Sequence, residues 1–151
     1  MRTGKFDIAG LKELQGKLQK LQDPDAFCEA CAKELAARLL AKVIKRTPVG
    51  QYPAGSGKTG GTLRRGWTTG KRQAAANYAN SLAVNHTGNV YTIELINPVE
   101  YASYVEYGHR TRDHKGWVKG RFMMTISESE LQQIAPKVLE KKIEKYMKGV
   151  F

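Results

Sequence analysis

The apolar residues near the start of the chain recur every three or four positions. Ile8, Leu11, Leu14, Leu18 and Leu21 follow this spacing, and lysines and a glutamate occupy positions between them. Such spacing places apolar side chains on one face of a helix. We therefore predict an amphipathic helix from Ile8 to Leu21.

A second helix is predicted from about Pro24 to Lys45. Asp23 is suited to cap its N-terminus, and proline is well tolerated at the first helical position. The helix is expected to stop at Thr47, because the proline that follows disfavours helical geometry in the residue before it. The residues expected to face the core are Phe27, Cys28, Cys31, Leu35, Leu39 and Val43.

The two cysteines, Cys28 and Cys31, lie three positions apart within this helix, so they share a face. A zinc site needs about four ligands, and the chain has no second such pair; His109 and His114 would have to complete it. A thioredoxin-like redox pair would follow a strand, and none is predicted here. Buried packing is the favoured interpretation, and we predict no metal, cofactor or disulfide framework.

The segment from Pro48 to Gly61 is rich in glycine and proline, which predicts a long mobile loop. Gly57-Lys58-Thr59 resembles the end of a phosphate-binding P-loop. That motif requires a glycine five residues before Gly57, and Tyr52 stands there instead. No strand leads into the segment, so nucleotide binding is not expected.

Beyond the loop the hydrophobic period shortens and predicts strands. Leu63 to Thr69 is expected as a short strand. Ser81 to Val84 and Val90 to Ile96 alternate or run apolar, as strands do. The residues between them, Asn85 to Asn89, are expected to form a hairpin loop.

The remaining chain is predicted as a short helix, a loop and a long helix. The short helix spans Val99 to Tyr107, and a polar, basic loop runs from Gly108 to Gly120. The long helix covers Phe122 to Phe151, with an interruption expected near Pro136. The sequence Ser127-Glu128-Ser129-Glu130 is typical of the start of a helix, so we expect Phe122 to Ile126 to form an extended segment before it.

The order of these elements predicts an α+β fold. It would comprise a small antiparallel sheet packed with two N-terminal helices, a short helix and a long C-terminal helix. A length of 151 residues fits a single domain over residues 1–151, with the mobile loop at about 48–61.

Charge narrows the classes of partner. The chain has 25 Lys and Arg against 14 Asp and Glu, a net charge of +11, and no acidic residue lies between Glu34 and Glu94. Such a field attracts nucleic acid, acidic proteins or membrane surfaces, although a solvated basic surface that serves only solubility stays an alternative. No apolar run approaches the ~18 residues of a membrane span, and the start lacks the apolar core of a signal peptide.

No group of residues demands catalysis. Ser103 and His109 would make a nucleophile and base, but no strained elbow or oxyanion motif accompanies them. Glu100 and Glu106 would make a carboxylate pair, as almost any two glutamates would. We therefore do not expect an enzyme.

The segment Tyr101 to Arg112 is rich in tyrosine and ends in basic residues. One interpretation is a core helix capped by Gly108, with tyrosine rings buried and their hydroxyls wet. The other is an interface, because Tyr and Arg are enriched at binding hot spots. The two are compatible, since one face of a helix can pack while the following loop binds.

Four blocks in a fixed order carry a family resemblance. They are Thr47-Pro48-Val49, Thr62-Leu63-Arg64-Arg65-Gly66-Trp67, Tyr101-Ala102-Ser103-Tyr104-Val105-Glu106-Tyr107-Gly108 and Gly120-Arg121-Phe122-Met123. With helices at both ends, this order resembles the tail-completion, or head–tail joining, proteins of long-tailed phages and related prophages. The chain departs from that family at Tyr52 to Gly57, which lengthen the loop where the family often has Asp-Thr-Gly.

The resemblance implies a structural virion protein without enzymatic activity. It implies a homo-oligomeric ring, a hexamer by family likeness, at the neck or upper tail, between the connector and the tail tube or its terminator. Acidic neighbouring proteins are the favoured partners of the basic surface, DNA in the channel is a further one, and no membrane is involved. Assembly is expected in the host cytoplasm. The implied interface residues are Arg64, Arg65, Trp67, Tyr101, Tyr104, Glu106, Tyr107, His109 and Arg110.

Two rival functions stay open. A basic nucleic-acid-binding module is supported by Tyr52, Trp67 and Tyr78 interleaved among the cations of the acid-free stretch, although no recognised nucleic-acid motif is present. A small enzyme such as a metal-dependent nuclease is the second rival.

Overall fold

The computed structural model describes residues 24–70 and 73–150. The helix predicted from Ile8 to Leu21 lies outside these residues. In the described residues the elements follow in the order α1 (Pro24–Arg46), α2 (Thr62–Gly66), α3 (Ala75–Ser81), β1 (Asn85–Thr87), β2 (Val90–Thr92), α4 (Ala102–Tyr107), β3 (Gly108–Arg110), β4 (Trp117–Lys119) and α5 (Met123–Val150). The strands form two separate antiparallel pairs, β1–β2 and β3–β4, and the predicted α+β class is confirmed.

Helix α1 is confirmed almost to the residue and supplies the centre of the fold. Its buried positions are Ala36, Leu40 and Val43, which follow the spacing of one helix face. The predicted Val43 is completely buried, and so is Leu40, whereas the predicted Leu39 is half-buried. The helix ends before Pro48, as expected from the proline.

The strand predicted from Leu63 to Thr69 is wrong, because helix α2 covers its first four residues and a turn follows. Leu63 and Trp67 are four residues apart, and both are buried on the same face of the helical turn. The sequence Leu63-Arg-Arg-Gly-Trp67 fits both the helical and the strand period, so a segment of five residues did not distinguish them. Gly61, with φ 93°, makes the turn into the helix.

The strand predicted from Ser81 to Val84 is also wrong, since Ser81 ends helix α3. Ala79 of this helix is completely buried, and α3 packs on α1. The predicted hairpin exists, but its turn is shorter than expected: Thr87 pairs with Val90 around Gly88 and Asn89. Only residues 90–92 of the predicted second strand are paired.

The loop predicted from Gly108 to Gly120 contains the β3–β4 hairpin, in which His109 pairs with Val118 and Arg110 with Trp117. Both strands are mostly exposed, so they lack the alternating apolar pattern that identifies a half-buried strand. The glycine- and proline-rich segment 48–61 contains no helix or strand, as predicted. The predicted helix at Val99–Tyr107 is present as the shorter α4.

Helix α5 begins at Met123, so the extended piece predicted before Ser127 is wrong. The helix also continues through Pro136 without the predicted interruption. It runs antiparallel to α1: Phe27 stacks on Tyr146 with ring centroids 4.4 Å apart, and Arg46 at the other end of α1 bonds to Glu130. The core where these helices meet α2 consists of Leu40, Val43, Leu63, Trp67 and Met123.

Candidate docking surface

Helix α4 and the β3–β4 hairpin expose large apolar side chains. Tyr104, Tyr107 and Trp117 are 60%, 64% and 63% exposed, and Val118 is exposed as well. We call this region, together with the cations of the hairpin, the aromatic–basic surface. Its members are Tyr104, Tyr107, His109, Arg110, Arg112, Lys115, Trp117, Val118 and Lys119.

Two glycines hold the hairpin against helix α4. Gly108 ends α4 with φ 87°, a conformation that favours glycine. Gly120 is buried against the same turn, and a Cβ added there would lie 2.4 Å from the carbonyl oxygen of Glu106. This close approach sets His109 beside α4, with its ring centroid 5.6 Å from that of Tyr104. The exposed aromatic groups of α4 and of the hairpin therefore lie on two elements in direct contact.

The hairpin carries a positive field that its own acidic residue does not neutralise. Within the described part of the chain, Arg110, Arg112, Lys115 and Lys119 form no ion pair. Asp113 accepts hydrogen bonds from the Thr111 hydroxyl and from the backbone N–H of Lys115. The Thr111 bond is the main reason that the pKa of Asp113 lies below its usual value. The surface thus combines exposed aromatic groups with uncompensated cations.

Glu106 is the acidic residue among the predicted interface residues, and it is buried, with 7% of its surface exposed. Its carboxylate accepts hydrogen bonds from the backbone N–H groups of Met124 and Thr125, both at 2.9 Å, and from the Thr125 hydroxyl at 2.7 Å. These N–H groups belong to the first turn of α5, which has no intrahelical partner for them. Glu106 therefore caps α5 and ties it to α4.

The two adjacent arginines contact the chain's own backbone. Arg64 donates to the carbonyl oxygen of Thr47 from Nη2 at 2.7 Å and from Nε at 3.2 Å. Arg65 donates from Nη1 to the carbonyl oxygen of Gly60 at 3.3 Å. Both are half-buried and line a cavity of about 620 Å³ between the end of α1 and the glycine-rich segment. Their guanidinium groups are partly exposed to solvent, and their hydrogen bonds connect α2 to the neighbouring backbone.

Trp67, which was predicted as an interface residue together with Arg64 and Arg65, lies in the core at 6% exposure. Its Nε1 donates to the Thr47 hydroxyl at 2.8 Å. The structure therefore gives Trp67 a packing role within one chain, and it does not lie on the aromatic–basic surface.

Tyr101 lies at the edge of a separate groove. The groove has a volume of about 300 Å³ and lies between α4 and the segment 48–61, with Tyr52 on the opposite side. Tyr101 and Tyr52 are 45% and 50% exposed. Tyr52 was considered from the sequence only as a base-stacking residue of a nucleic-acid-binding module, and Trp117, Val118 and Lys119 were not identified as interface residues. Trp117 could have been identified from the sequence, because a large aromatic residue stands there in an otherwise polar segment.

The side chains considered for catalysis or metal binding are not assembled into a reactive site. The described residues contain no hydrogen bond between Ser103 and His109, whose Nδ1 lies 2.7 Å from the Arg110 carbonyl oxygen. Cys28 and Cys31 are free and half-buried, and burial raises the pKa of the Cys31 thiol, which disfavours the reactive thiolate. Within residues 24–70 and 73–150, no cluster of three or more His, Cys, Asp or Glu is placed to hold a metal ion. No helix in that part of the chain combines the length and apolarity needed to cross a membrane.

Comparison with known protein families matches residues 12–108 to the HK97-gp10-like family, described as "Bacteriophage HK97-gp10, putative tail-component". No curated protein and no solved structure matches the chain. The match covers more than half of the 151 residues and includes every described element from α1 to α4. The hairpin beyond Gly108 and helix α5 follow the matched segment. The chain therefore belongs to the HK97-gp10-like family of phage tail components.

Proposed function

We propose that this chain is a structural virion protein that forms a ring at the neck or upper tail and joins the head connector to the tail. The observation that carries the proposal is the aromatic–basic surface, which a single copy leaves uncovered in a member of a tail-component family. Exposed Tyr, Trp and Arg side chains are the residues most enriched at binding hot spots. A ring requires each copy to present one surface to a different surface of the next.

The partners that best fit the surface are proteins with acidic, partly apolar faces. Arg110 and Lys119 supply charge, whereas Trp117 and Val118 supply apolar area at the same hairpin. A protein partner uses both kinds of group, because interfaces combine an apolar centre with a polar rim. We also infer that residues 24–150 act as one domain, since α1 packs against both α3 and α5.

The test removes the apolar part of the surface in the phage that carries this gene. Trp117→Ser with Val118→Ser is expected to lower the yield of joined particles about tenfold or more, the effect of roughly 1.4 kcal/mol of lost binding. Unattached heads and tails should accumulate. The matched control is Ile143→Ser with Met147→Ser, an exposed apolar pair on α5 away from the hairpin. A normal particle yield from the hairpin variant, with folding verified by circular dichroism, would contradict the proposal.

Nucleic-acid binding is the second candidate, and it is favoured by four hairpin cations that form no ion pair with any described residue. A protein that neutralises phosphates releases counterions, so its DNA affinity falls steeply as salt is added. Submicromolar binding of duplex DNA at about 150 mM salt, with that steep dependence, would support this candidate. Weak binding, or binding that salt hardly changes, would support docking against proteins.

A further inference from the structure

Helices α1 and α5 enclose a groove that the proposed function does not use. Its volume is about 390 Å³. The groove differs from the aromatic–basic surface in its elements and in its chemistry. Its lining residues are Glu34, Arg38, Ile134, Lys137, Val138, Lys141, Lys142 and Lys145.

Cations dominate the walls of this groove. Glu34 is the acidic residue of the lining, and Lys142 and Arg38 donate to it at 2.6 and 3.3 Å. These two contacts neutralise its charge. The other three lysines therefore face the groove with no acidic counterpart in the lining.

Those three lysines form a row along α5. Lys137, Lys141 and Lys145 are exposed and form no ion pair within the described residues. A spacing of four residues places them on one helix face, about 6 Å apart along the axis. A linear partner with carboxylates at a similar repeat, such as a helix, matches this row.

The floor of the groove is apolar. Ile134 and Val138 line it and are half-buried, so part of each side chain faces the groove. A phosphate backbone would use the lysines and leave these two groups unburied. A helix with an apolar stripe bordered by carboxylates would bury the floor and neutralise the walls together.

We propose that this groove binds an acidic amphipathic helix of another protein in the particle. The inference rests on the proposed function, in which the chain acts by docking against other particle components. The chain's own first 23 residues carry five Lys and Arg against three Asp and Glu, so their charge does not complement the groove. A second copy is disfavoured as the occupant of the groove, because its two long helices, α1 and α5, each carry more Lys and Arg than Asp and Glu.

The test uses a synthetic 18-residue peptide with leucines on one helix face and glutamates on the others, labelled for fluorescence anisotropy. Lys137→Glu with Lys141→Glu should weaken its binding to the full-length chain at least tenfold. The matched control is Lys45→Glu with Lys58→Glu, two exposed lysines outside both the groove and the aromatic–basic surface, which reverses the same number of charges and should leave binding unchanged. Lys137→Ala with Lys141→Ala, which preserves helix propensity, serves as a second variant and should also weaken binding.

A second peptide tests whether the apolar floor contributes to binding. A peptide of the same composition with scrambled order should bind about tenfold more weakly, because it has no stripe for the apolar floor. Equal binding of both peptides, no binding of either, or equal loss in both lysine pairs would overturn the proposal. An 18-base-pair DNA duplex that binds more tightly than the peptide and is lost in K137E/K141E would assign the groove to nucleic acid. The particle-yield test at the hairpin is independent, so either proposal can fail alone.

Discussion

Thr47, at the end of α1, is a residue on which several contacts converge. Its hydroxyl donates to the carbonyl oxygen of Val43 at 2.7 Å and accepts from Trp67 Nε1 at 2.8 Å. Its carbonyl oxygen accepts two hydrogen bonds from Arg64. The side chain is completely buried. One threonine thus fixes the end of α1, the tryptophan of the core and the position of α2.

We predict that Thr47→Val lowers the free energy of unfolding by about 1–3 kcal/mol, the cost of a buried donor without an acceptor. Valine has nearly the shape of threonine, so the loss reports the unpaired Trp67 Nε1 and not a cavity. Chemical denaturation followed by circular dichroism measures it. Thr47→Ser retains the hydroxyl and should lose less. A Thr47→Val variant as stable as the original chain would show that this hydrogen bond does not matter.

At the scale of elements, helix α2 is held by close contact with the segment that follows β2. A Cβ added to Gly66 would lie 2.2 Å from Asn97 Oδ1 and 2.8 Å from Val99 Cγ2. Asn97 also donates from Nδ2 to the carbonyl oxygen of Leu63 at 2.7 Å. Glycine at position 66 therefore permits an approach that positions both arginines of α2.

Gly66→Ala is expected to destabilise the fold by about 1–3 kcal/mol, the usual cost of inserting a methyl group into a packed site. The helix propensity of alanine would act in the opposite direction, so a net loss identifies the steric contact. Gly116→Ala is the control, because a Cβ there meets only Thr111, at 3.3 Å or more. Thermal unfolding of the two variants compares them. A Gly66→Ala chain that melts at or above the original temperature would refute the packing argument.

The contact between α1 and α5 includes a charge cluster that makes stability depend on pH. Arg46 and Lys42 both hydrogen-bond Glu130, and Arg46 is the larger cause that lowers the pKa of this carboxyl below its usual value. The folded state therefore holds the proton less readily than the unfolded state. The stabilisation is present above the ordinary pKa of 4.5 and is lost as pH falls through the lower folded value.

We expect Glu130→Gln to be less stable than the original chain at pH 7, because the two cations lose their carboxylate. The difference should shrink as pH falls below about 4.5 and vanish when Glu130 is protonated in both states. Denaturation curves measured between pH 3 and pH 7 test this. Glu128→Gln, two residues away and exposed, is the control and should have little effect at any pH. A gap for Glu130→Gln that stays constant down to pH 3 would be inconsistent with the cluster.

The long elements and the short ones differed in how well the sequence predicted them. Helices α1 and α5 repeat their apolar period over many turns, so their existence was predictable. Leu63 and Trp67 are apolar residues four positions apart, a spacing that fits both a strand and a helical turn, and only their burial in the folded chain decides for the helix. The N-terminus of α5 is capped by Glu106, which precedes the helix by 17 residues. The residues around Ser127 therefore do not indicate where the helix begins.

At the scale of the whole molecule, the candidate site was predicted in part. Tyr104, Tyr107 and Arg110 were identified from the composition of their segment and lie on the exposed surface, whereas Trp67, which the family resemblance implied as an interface residue, lies in the core. Neither composition nor resemblance tells which side chains of a short segment face inward. Trp117 was overlooked because the hairpin that presents it exposes both faces, which removes the alternation by which strands are found.

Electron cryomicroscopy of the intact particle is the most direct test of the proposed assembly. We predict a closed ring of copies of this chain at the head–tail junction, with Trp117 and Val118 buried at a protein interface. A particle that lacks the chain, or holds it as isolated copies away from the junction, would show that the proposed assembly is wrong.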